Sequence, residues 1–516
     1  MRMTRRALRI HLLSIITVLL LAGCPNFTQD TDPALGTYDP IRPDDTRYDE
    51  QWSLNLDNFI HMEEAWGVLH SDDVQNMLAE RDLPREVVVA VLDTEIDTEH
   101  PDLDGVLVDG YDAIDKQEID VSNSTAESQE FFDDQDHGSH VAGIIGAAAD
   151  NDETGIAGVG WLPPGTQVRI MPVTVLDSQG VGSPENIIEG LMYAAGMHQD
   201  EQPQRPADVI NLSLGADPKD VPSAIREPWR EALEEIGKAE ISVIAAAGNS
   251  INSSCAPVLF PASHSSTIAV GSADPPDNTR SLYSNCGDQL DIMAPGGTDK
   301  NGDDFSEVLS LSHTEDSTSE NYTTLAGTSM AAPHVAGVAA LLYAISNDMS
   351  PDAVRRILTE TASPIEHAGA LPNEEYGWGL LHAERAVRRA LMKPYGPYRN
   401  DGSATMHEQW PFSPQGNVET ESTHSTSPPP EGTYAADRAA LVLERDWYEN
   451  TPSAERRARL NEIADAHDLL EIRDRGHRFP TAYLPEGEEV SLELLEDLRA
   501  ETEIRFADFS VYFYRQ

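Results

Sequence analysis

Three short segments of the sequence each contain one residue with acid–base or nucleophilic chemistry. Asp93 directly follows the apolar run V-V-V-A-V-L, His137 lies in D-H-G-S-H-V-A-G, and Ser329 lies in G-T-S-M-A-A-P-H-V-A-G. Taken singly, these residues have ordinary structural interpretations as a helix-capping aspartate, a surface histidine and an N-cap serine. A serine hydroxyl is a poor nucleophile until a neighbouring base takes its proton, and a carboxylate can orient that base. Together the three residues therefore predict a site that attacks a carbonyl carbon through serine.

The elements that must position these residues follow an alternating β/α pattern between about residues 51 and 395. Continuous apolar runs indicate strands that are buried on both faces, which is typical of a parallel sheet covered by helices. The candidate strands are 87–92, 168–176, 209–214, 243–247 and 267–270, and helical patterns lie near 138–149, 184–198, 223–238 and 330–346. We therefore expect an α/β fold, a three-layer αβα sandwich with a mostly parallel central sheet. In such sheets, functional sites lie at the carboxyl ends of the strands.

The order Asp, His, Ser on an α/β chain resembles the subtilisin-like serine protease family, peptidase S8. The resemblance covers roughly residues 51–392 and includes the segments A-D-V-I-N-L-S-L-G, V-I-A-A-A-G-N and V-L-D-S-Q-G-V-G-S. It implies a serine endopeptidase that hydrolyses polypeptides through an acyl-enzyme, with Asp93, His137 and Ser329 as its catalytic triad. Two alternatives stay open, a dedicated maturation protease for one partner and an inactive scaffold used for binding.

The same resemblance implies which residues surround the triad. Asn249, in V-I-A-A-A-G-N, is expected to donate a hydrogen bond to the oxyanion. Leu259, just before F-P-A, is expected at the base of the pocket for the residue that precedes the cleaved bond. Glu95 departs from the family pattern, which usually has glycine there. Two segments are expected to pair with the substrate backbone, and their residues are Gly180, Val181, Gly182, Ser213, Leu214 and Gly215.

The loop D-N-D-E-T-G-I-A-G (150–158) resembles the high-affinity calcium loop of that family. Oxygen ligands from side chains and carbonyls suit Ca²⁺, which is a hard cation. The resemblance implies Asp152 and Asp102 as side-chain ligands, and Thr154 and Ile156 as carbonyl ligands. The alternative is an acidic, solvated loop on an acidic chain. We expect a structural calcium ion and no cofactor in the chemistry itself.

The N-terminus carries an export signal. Basic residues among positions 2–9 precede an apolar run from residue 12 to 22, which is too short to span a bilayer and is typical of a signal peptide. The run ends in L-A-G-C, which resembles the bacterial lipobox and predicts lipidation of Cys24. The alternative is an ordinary secretory signal with a chance cysteine. We expect an exported lipoprotein, anchored through Cys24 to the cell membrane or outer membrane and facing the periplasm or the exterior.

Two further cysteines, Cys255 and Cys286, lie in predicted loops. In an exported protein, an even pair of cysteines favours a disulfide. Two unpaired thiols are the alternative.

The chain is strongly acidic. It has 89 acidic residues against 35 basic residues, a formal net charge of −54, and only five lysines. Such a charge argues against nucleic acid or an anionic membrane surface as a partner. The charge could serve solubility alone. We favour adaptation to high salt, where a Debye length of about 3 Å near 1 M screens the repulsion.

The C-terminal part of the sequence differs in character from the rest. Residues 394–434 contain P-Y-G-P-Y and S-P-P-P without an apolar period, which predicts a linker. Residues 435–516 follow a β-α-β-β-α-β pattern, which is typical of a small α+β, ferredoxin-like domain. Within that pattern, A-L-V-L-E-R and L-E-D-L-R-A-E-T-E-I-R-F-A-D resemble the propeptide domains that fold and inhibit subtilisin-like proteases.

We therefore expect this domain to act within its own monomer, as an inhibitor or a folding aid. An unrelated appendage is the alternative. The predicted domains are a lipoprotein signal peptide (1–23), a tether (24–50), a catalytic domain (51–393), a Pro-rich linker (394–434) and the small domain (435–516).

Overall fold

The computed structural model describes residues 36–392 except 58, 82, 84–85, 122–135, 152–154, 199–200, 251–254, 276–277, 299–306, 314–320 and 347–348. In the C-terminal region it describes residues 434–443, 453–467, 469, 471–473, 481–483, 498, 504–511 and 513–515. The predicted signal peptide, Cys24 and the predicted linker up to residue 433 lie outside the described residues. Every helix and strand below belongs to one compact unit, Asp39–Gln516.

Parallel strands form the middle of a large central sheet. Its strands are β1 (Glu86–Asp93), β2 (Gly110–Asp112), β3 (Gln117–Ile119), β4 (Gln167–Thr174), β6 (Val209–Leu212), β8 (Ser242–Ala246), β9 (Thr267–Asp274), β10 (Thr279–Arg280) and β11 (Ile292–Pro295). They lie in the order β10-β9-β8-β6-β1-β4-β2-β3, and β11 also pairs with β9. Strands β4, β1, β6, β8 and β9 are mutually parallel along this order, whereas β3 and β10 are antiparallel to their neighbours.

Further short strands lie outside the central sheet. Strands β12 (Val308–Leu311) and β13 (Tyr322–Leu325) form an antiparallel pair. Strands β5 (Val181–Gly182) and β7 (Leu214–Gly215) each contribute one edge of a small three-stranded sheet.

Helices cover both faces of the central sheet. They are α1 (Trp52–Asn55), α2 (Met62–Leu69), α3 (Asp72–Ala79), α4 (His137–Gly146), α5 (Pro184–Ala194), α6 (Ser223–Lys238), α7 (Thr328–Ile345), α8 (Pro351–Thr361) and α9 (Ala383–Met392). Helices α4 and α7 pack against each other and against β1. Helices α5 and α6 also pack against each other, and α5 contacts β1 whereas α6 contacts β8. Every residue of β1 after Glu86 is buried, which requires cover on both faces of the sheet.

Local sequence explains where several helices begin. Ser183 and Ser350 each accept a hydrogen bond from the backbone N–H three residues later, and each is followed by a proline at the first helical position of α5 or α8. Helix α7 is, among the described residues, the one helix long and apolar enough to cross a membrane. All of its residues are buried inside the fold, so it is a core helix.

The C-terminal region forms a separate small sheet. Its elements are β14 (Tyr434–Leu443), α10 (Ser453–Ala466), β15 (Glu471–Arg473), β16 (Thr481–Tyr483) and β17 (Ile504–Val511), followed by β18 (Phe513–Arg515). The sheet has the order β15-β16-β14-β17 with every neighbouring pair antiparallel, which is the arrangement expected of a βαββαβ plan. The second predicted helix of that plan lies largely outside the described residues.

The structure confirms the α/β sandwich, and the predicted strands correspond to β1, β4, β6 with β7, β8 and β9. The predicted boundary at residue 50 differs from the structure, because the compact unit begins at Asp39. Tyr48 is buried, and the backbone N–H of Arg47 donates to the carbonyl of Gly155 at 2.9 Å. The prediction of a tether up to residue 50 came from composition, which cannot reveal contacts with a loop more than a hundred residues away in the sequence.

Candidate active site

The carboxyl ends of two adjacent strands assemble the predicted site. In the parallel pairing of β1 with β6, Leu92 lies opposite Leu212, so Asp93 and Ser213 are the next residues on neighbouring strands. Helix α4 begins at His137 and packs against β1, and helix α7 begins one residue before Ser329 and also packs against β1. The topology thus gathers residues that are far apart in the sequence at one edge of the sheet.

His137 and Asp93 form a buried pair. The Nδ1 atom of His137 lies 2.6 Å from Oδ1 of Asp93, which also accepts the backbone N–H of Thr94 at 2.8 Å. The helix that carries His137 is held close to this turn, since the N–H of Gly138 donates to Oγ1 of Thr94 at 2.9 Å. A Cβ atom on Gly138 would lie 2.5 Å from the carbonyl oxygen of Thr94, so only glycine permits this approach. The pairing orients the imidazole so that Nε2 is the nitrogen that can exchange a proton at the site.

Ser329 lies in the first turn of α7, where backbone N–H groups have no partner within the helix. Its Oγ donates to the carbonyl of Ser213 at 3.2 Å. In return, Oγ of Ser213 donates to the carbonyl of Ser329 at 2.9 Å and accepts Nδ2 of Asn211 at 3.0 Å. Position 333 is proline, which has no N–H for the carbonyl four residues earlier, and Ser213 supplies the missing donor.

The side chain of Asn249 is oriented by Thr328. Its Oδ1 accepts both the backbone N–H and the hydroxyl of Thr328, each at 3.0 Å. The N–H of the neighbouring Gly248 donates to the same hydroxyl at 3.1 Å. These contacts fix which end of the amide is the donor and hold Asn249 beside the first turn of α7. An anion near that turn would meet the Nδ2 group and the helix N-terminus together.

The predicted substrate segments form two strands with a gap between them that a third strand fills. Val181 and Gly182 make up β5, and Leu214 and Gly215 make up β7. Gly180 lies in the preceding turn with a φ of 74°, in the left-handed region that favours glycine. Strand β18 lies between β5 and β7 and is antiparallel to both.

Leu259 lies between strand β7 and the loop of Asn249. A Cβ atom on Gly215 would lie 3.0 Å from Cβ of Leu259, and a Cβ atom on Gly248 would collide with its Cγ. The leucine therefore closes the space below these two segments.

A disulfide joins Cys255 to Cys286, with Cα atoms 5.3 Å apart. The two segments of chain that it connects are also joined by backbone, since the N–H of Cys286 donates to the carbonyl of Ala256 and that of Asn285 donates to the carbonyl of Gly248. The bridge therefore fastens the chain at Cys255 to the loop that contains Cys286.

The predicted calcium loop is built around a buried carboxylate. Asp102 accepts the N–H of Ile156 at 3.0 Å, the amide of Asn151 at 3.2 Å and the hydroxyl of Tyr322 at 3.1 Å. Gly155 has a φ of 65°, and a Cβ atom there would collide with Oδ2 of Asp102. Asp152 and Thr154 lie outside the described residues.

Three acidic residues that the sequence analysis did not identify as ligands lie at the same loop. Carboxylate oxygens of Asp44, Asp45 and Asp150 lie within 4.8 Å of one another. Oδ2 of Asp45 accepts the N–H of Asp150, whereas Oδ1 of Asp45 and Oδ1 of Asn151 are buried without a partner among the described residues. Burial raises the pKa of Asp45 to about 6, and the nearby carboxylates of Asp102 and Asp150 also raise it. Orphaned buried oxygens beside clustered carboxylates fit a hard cation such as Ca²⁺.

Two other histidines near the site are structural. His140 lies 2.9 Å from the carbonyl of Val308 and His334 lies 2.7 Å from that of Met330. Burial lowers the pKa of His140 to about 3 and that of His334 to about 4, so both rings are neutral near pH 7.

Sequence comparison connects this geometry with known proteins. The sequence model described as "Subtilase family" (Peptidase_S8) matches residues 84–379. The thermophilic serine proteinase of Bacillus sp. (strain AK1) is 35% identical over 303 residues, 58% of this chain and 61% of that protein. Thermitase of Thermoactinomyces vulgaris is 35% identical over 58% of this chain and 88% of that protein. The halolysin-like extracellular serine protease Nep of Natrialba magadii is 30% identical over 68% of this chain and 54% of that protein. The chain thus spans about three fifths of the length of the first of these relatives.

A solved structure supports the same relationship. A protease structure from Pseudoalteromonas arctica PAMC 21717 superposes with a TM-score of 0.51 at 30% sequence identity. The match covers 67% of this chain and 99% of that chain.

Proposed function

The chain belongs to the subtilase family, and its family-matched domain is that of a subtilisin-like serine endopeptidase; we propose that Asp93, His137 and Ser329 are the catalytic triad. The observation that carries the proposal is the 2.6 Å contact between His137 and Asp93 at the same sheet edge as Ser329. The substrate class is polypeptide.

Each residue has a role that follows from its contacts. His137 takes the proton of the Ser329 hydroxyl as Oγ attacks the scissile carbonyl carbon, and an acyl-enzyme forms when His137 returns that proton to the leaving amine. Asp93 holds Nδ1 of His137 and stabilises the imidazolium. Water then attacks the acyl carbon with His137 again as the base, which releases the acid product and restores Ser329.

The oxyanion is stabilised by groups that are already in place. Asn249 would donate through Nδ2, and Ser329 would donate through its backbone N–H in the first turn of α7. Thr328 keeps Asn249 in that orientation through its two hydrogen bonds. Strands β5 and β7 would pair with the substrate backbone, which gives affinity with little demand on sequence. Leu259 would limit the depth of the adjoining pocket.

Replacement of the nucleophile tests the assignment. Ser329→Ala should lower peptide hydrolysis by about 10⁴–10⁶-fold and abolish labelling by a fluorophosphonate probe, while the melting temperature changes little. Ser265→Ala, at an exposed serine, is the matched control and should leave both readouts intact. Activity that survives in a pure Ser329→Ala protein would contradict the triad. A wild-type chain that the probe never labels would favour an inactive scaffold instead.

A dedicated maturation protease remains the second candidate for the biological role. A pocket made shallower by Leu259, together with backbone pairing of the substrate to β5 and β7, would favour a broad endopeptidase. A peptide-library cleavage profile separates the two, because a dedicated enzyme would cut one narrow motif.

We also propose export with a lipid anchor at Cys24. The support is the L-A-G-C sequence after a short apolar run, together with relatives that are named as extracellular proteases. Incorporation of a labelled fatty acid into the wild-type chain, and its loss in Cys24→Ser, would be the expected result. An unlabelled mature chain in the soluble fraction would contradict the anchor.

We propose that the acidic loop holds one structural calcium ion. Asp102, Asp152, Thr154 and Ile156 are the expected ligands from the sequence, and the unpartnered oxygen of Asp45 supports adding this residue to the set. When bound, the ion would supply a cross-link between the N-terminal segment and the loop, with no part in the hydrolytic steps.

A further inference from the structure

Strand β18 occupies the place where a substrate backbone is expected. In its pairing with β5, Phe513 lies opposite Gly182 and Tyr514 lies opposite Val181. In its pairing with β7, Tyr514 lies opposite Gly215 and Arg515 lies opposite Leu214. The three strands form one antiparallel sheet with β18 in the middle. A substrate could not pair with β5 and β7 while β18 is there, because each strand edge offers one set of backbone donors and acceptors.

The direction of β18 leads toward the nucleophile. Arg515 lies opposite Leu214, and the residue before Leu214 is Ser213, whose carbonyl accepts the hydroxyl of Ser329. The strand therefore approaches Ser329 with its C-terminal end. A chain that continues beyond Arg515 in the same direction would bring its next peptide bonds toward the nucleophile.

A second contact fixes the strand from outside the groove. Strands β14 and β17 of the C-terminal sheet pack against helix α6, which follows β7 in the chain. One residue separates the end of β17 at Val511 from the start of β18 at Phe513. A sheet seated on α6 thus delivers β18 to the groove through a very short connection.

We propose that residues 434–515 are a built-in competitive inhibitor of the catalytic domain, a second activity carried by the same chain. This proposal rests on the proposed function of the Ser329 site. The inhibitor binds by backbone pairing of β18 with β5 and β7, and the contact of its sheet with α6 adds affinity and sets the register. Its ligand is the peptidase domain of this chain. Residues 434–515 supplied as a separate protein would inhibit a peptidase that has the same groove.

The size of the effect follows from the tether. A tether of roughly 40 residues, the length of the predicted linker, would give an effective concentration of about 1 mM if it behaves as its composition predicts. If the docked contact has an intrinsic Kd of about 10 µM, about 1% of the molecules are open, and kcat/KM for an external peptide is reduced about 100-fold. The inhibition should be independent of enzyme concentration, because it is intramolecular.

The test uses full-length variants that change β18 alone. Tyr514→Pro removes the backbone N–H at the centre of the three-stranded sheet, whereas the matched control Tyr514→Ala keeps it. We expect Tyr514→Pro to raise the rate of fluorophosphonate labelling and kcat/KM by at least about tenfold, and Tyr514→Ala to raise them less. Removal of residues 513–516 should reproduce the increase and replaces the proline variant if that variant does not fold. Labelling rates equal to wild type in a folded variant would overturn the proposal.

A measurement without catalysis separates this proposal from the proposed function. In Ser329→Ala, hydrogen exchange at the amides of β5 and β7 should speed up when Tyr514→Pro is added. Slow exchange that Tyr514→Pro leaves unchanged would refute the inhibitor even if the enzyme is active. If no variant is labelled but hydrogen exchange is faster in Tyr514→Pro, the catalytic assignment is refuted and the docking of β18 between β5 and β7 is supported.

The direction of β18 gives one more readout. A peptide fused after Gln516 should be cleaved slowly by the wild-type chain near the end of the paired segment. It should stay attached in Ser329→Ala and in the Tyr514→Pro variant that retains Ser329. A fusion that is cut equally fast in the Tyr514→Pro variant would show that docking of β18 is not what presents it to Ser329.

Discussion

The proposed catalytic edge, where Asp93, His137 and Ser329 lie, and the acidic loop, residues 150–158 with Asp44 and Asp45, differ in what lies beside their buried carboxylates. At the catalytic edge, Asn249, Ser213 and Thr328 meet their partners inside the protein. Oδ2 of Asp93 and Oδ1 of Asn211 are buried without a partner among the described residues, but the carboxylate of Asp93 contacts the imidazole of His137 at 2.6 Å. At the acidic loop, Asp45 and Asn151 each keep a buried oxygen without a partner among the described residues.

The difference indicates what each region needs from solution. At the catalytic edge an imidazole, which can carry a positive charge, lies against the carboxylate, so this region needs no added cation and its stability depends on pH through its buried histidines. A loop with clustered carboxylates and orphaned oxygens is complete only with a cation, so its stability depends on the cation concentration. The following predictions test this division.

Acid should destabilise the catalytic edge most. His140 and His334 have folded pKa values of about 3 and about 4, against 6.5 in an exposed ring. The unfolded chain therefore binds more protons below pH 6.5, and the stability is lost as pH falls from about 6.5 to about 4 for His334 and to about 3 for His140. At about pH 4.5 the two together should cost up to about 5 kcal/mol. The measurement is urea unfolding across this pH range.

Single substitutions identify the source of that loss. His334→Gln should remove about half of the pH dependence, whereas His367→Gln at an exposed position should leave it unchanged. A slope that survives His334→Gln in full would assign the acid sensitivity to other groups.

Loss of the oxyanion donor should come next in size. Asn249→Ala should lower kcat by about 10²–10³-fold, or about 2.7–4 kcal/mol, with KM nearly unchanged, because the contact strengthens only in the transition state. Thr328→Val keeps the backbone N–H and removes one donor to Asn249, so a loss of about tenfold is expected. Steady-state kinetics on one peptide gives both values. A fall in kcat/KM that comes only from KM would place Asn249 in substrate binding instead.

Chelation should affect the acidic loop and spare the catalytic edge. An ion bound only by the folded state at a hundredfold excess over its Kd adds about 2.7 kcal/mol, which a chelator at fixed ionic strength should remove. The shift in melting temperature should be absent in Asp152→Ala and reduced in Asp45→Asn. Asn249→Ala should keep the full shift, as the matched control. If chelation shifts none of these proteins, no calcium ion stabilises the loop.

The sequence predicted the parts of this molecule that depend on short motifs. The strands that end at Asp93 and Leu212 follow from their apolar runs, and the proposed triad follows from three segments in family order. The sequence did not predict Asp45, because its contact with Asp150 spans more than a hundred residues and an acidic pair is unremarkable on so acidic a chain. It also did not predict the orienting role of Thr328, although that residue lies inside the G-T-S segment, because only the geometry shows which oxygen of Asn249 it contacts.

The hydrogen bond by which Ser213 replaces the helical donor missing at Pro333 gives the smallest and most specific prediction. The carbonyl of Ser329 is buried, Pro333 cannot donate to it, and Ser213 Oγ donates at 2.9 Å instead. Ser213→Ala should therefore leave a buried acceptor unsatisfied and cost about 1–3 kcal/mol of stability. Pro333→Ala restores an N–H four residues after Ser329, so the double variant should recover about 1 kcal/mol of that loss. Thermal melting of the four proteins of this cycle measures the coupling, and strictly additive effects would show that Ser213 does not substitute for the missing helical donor.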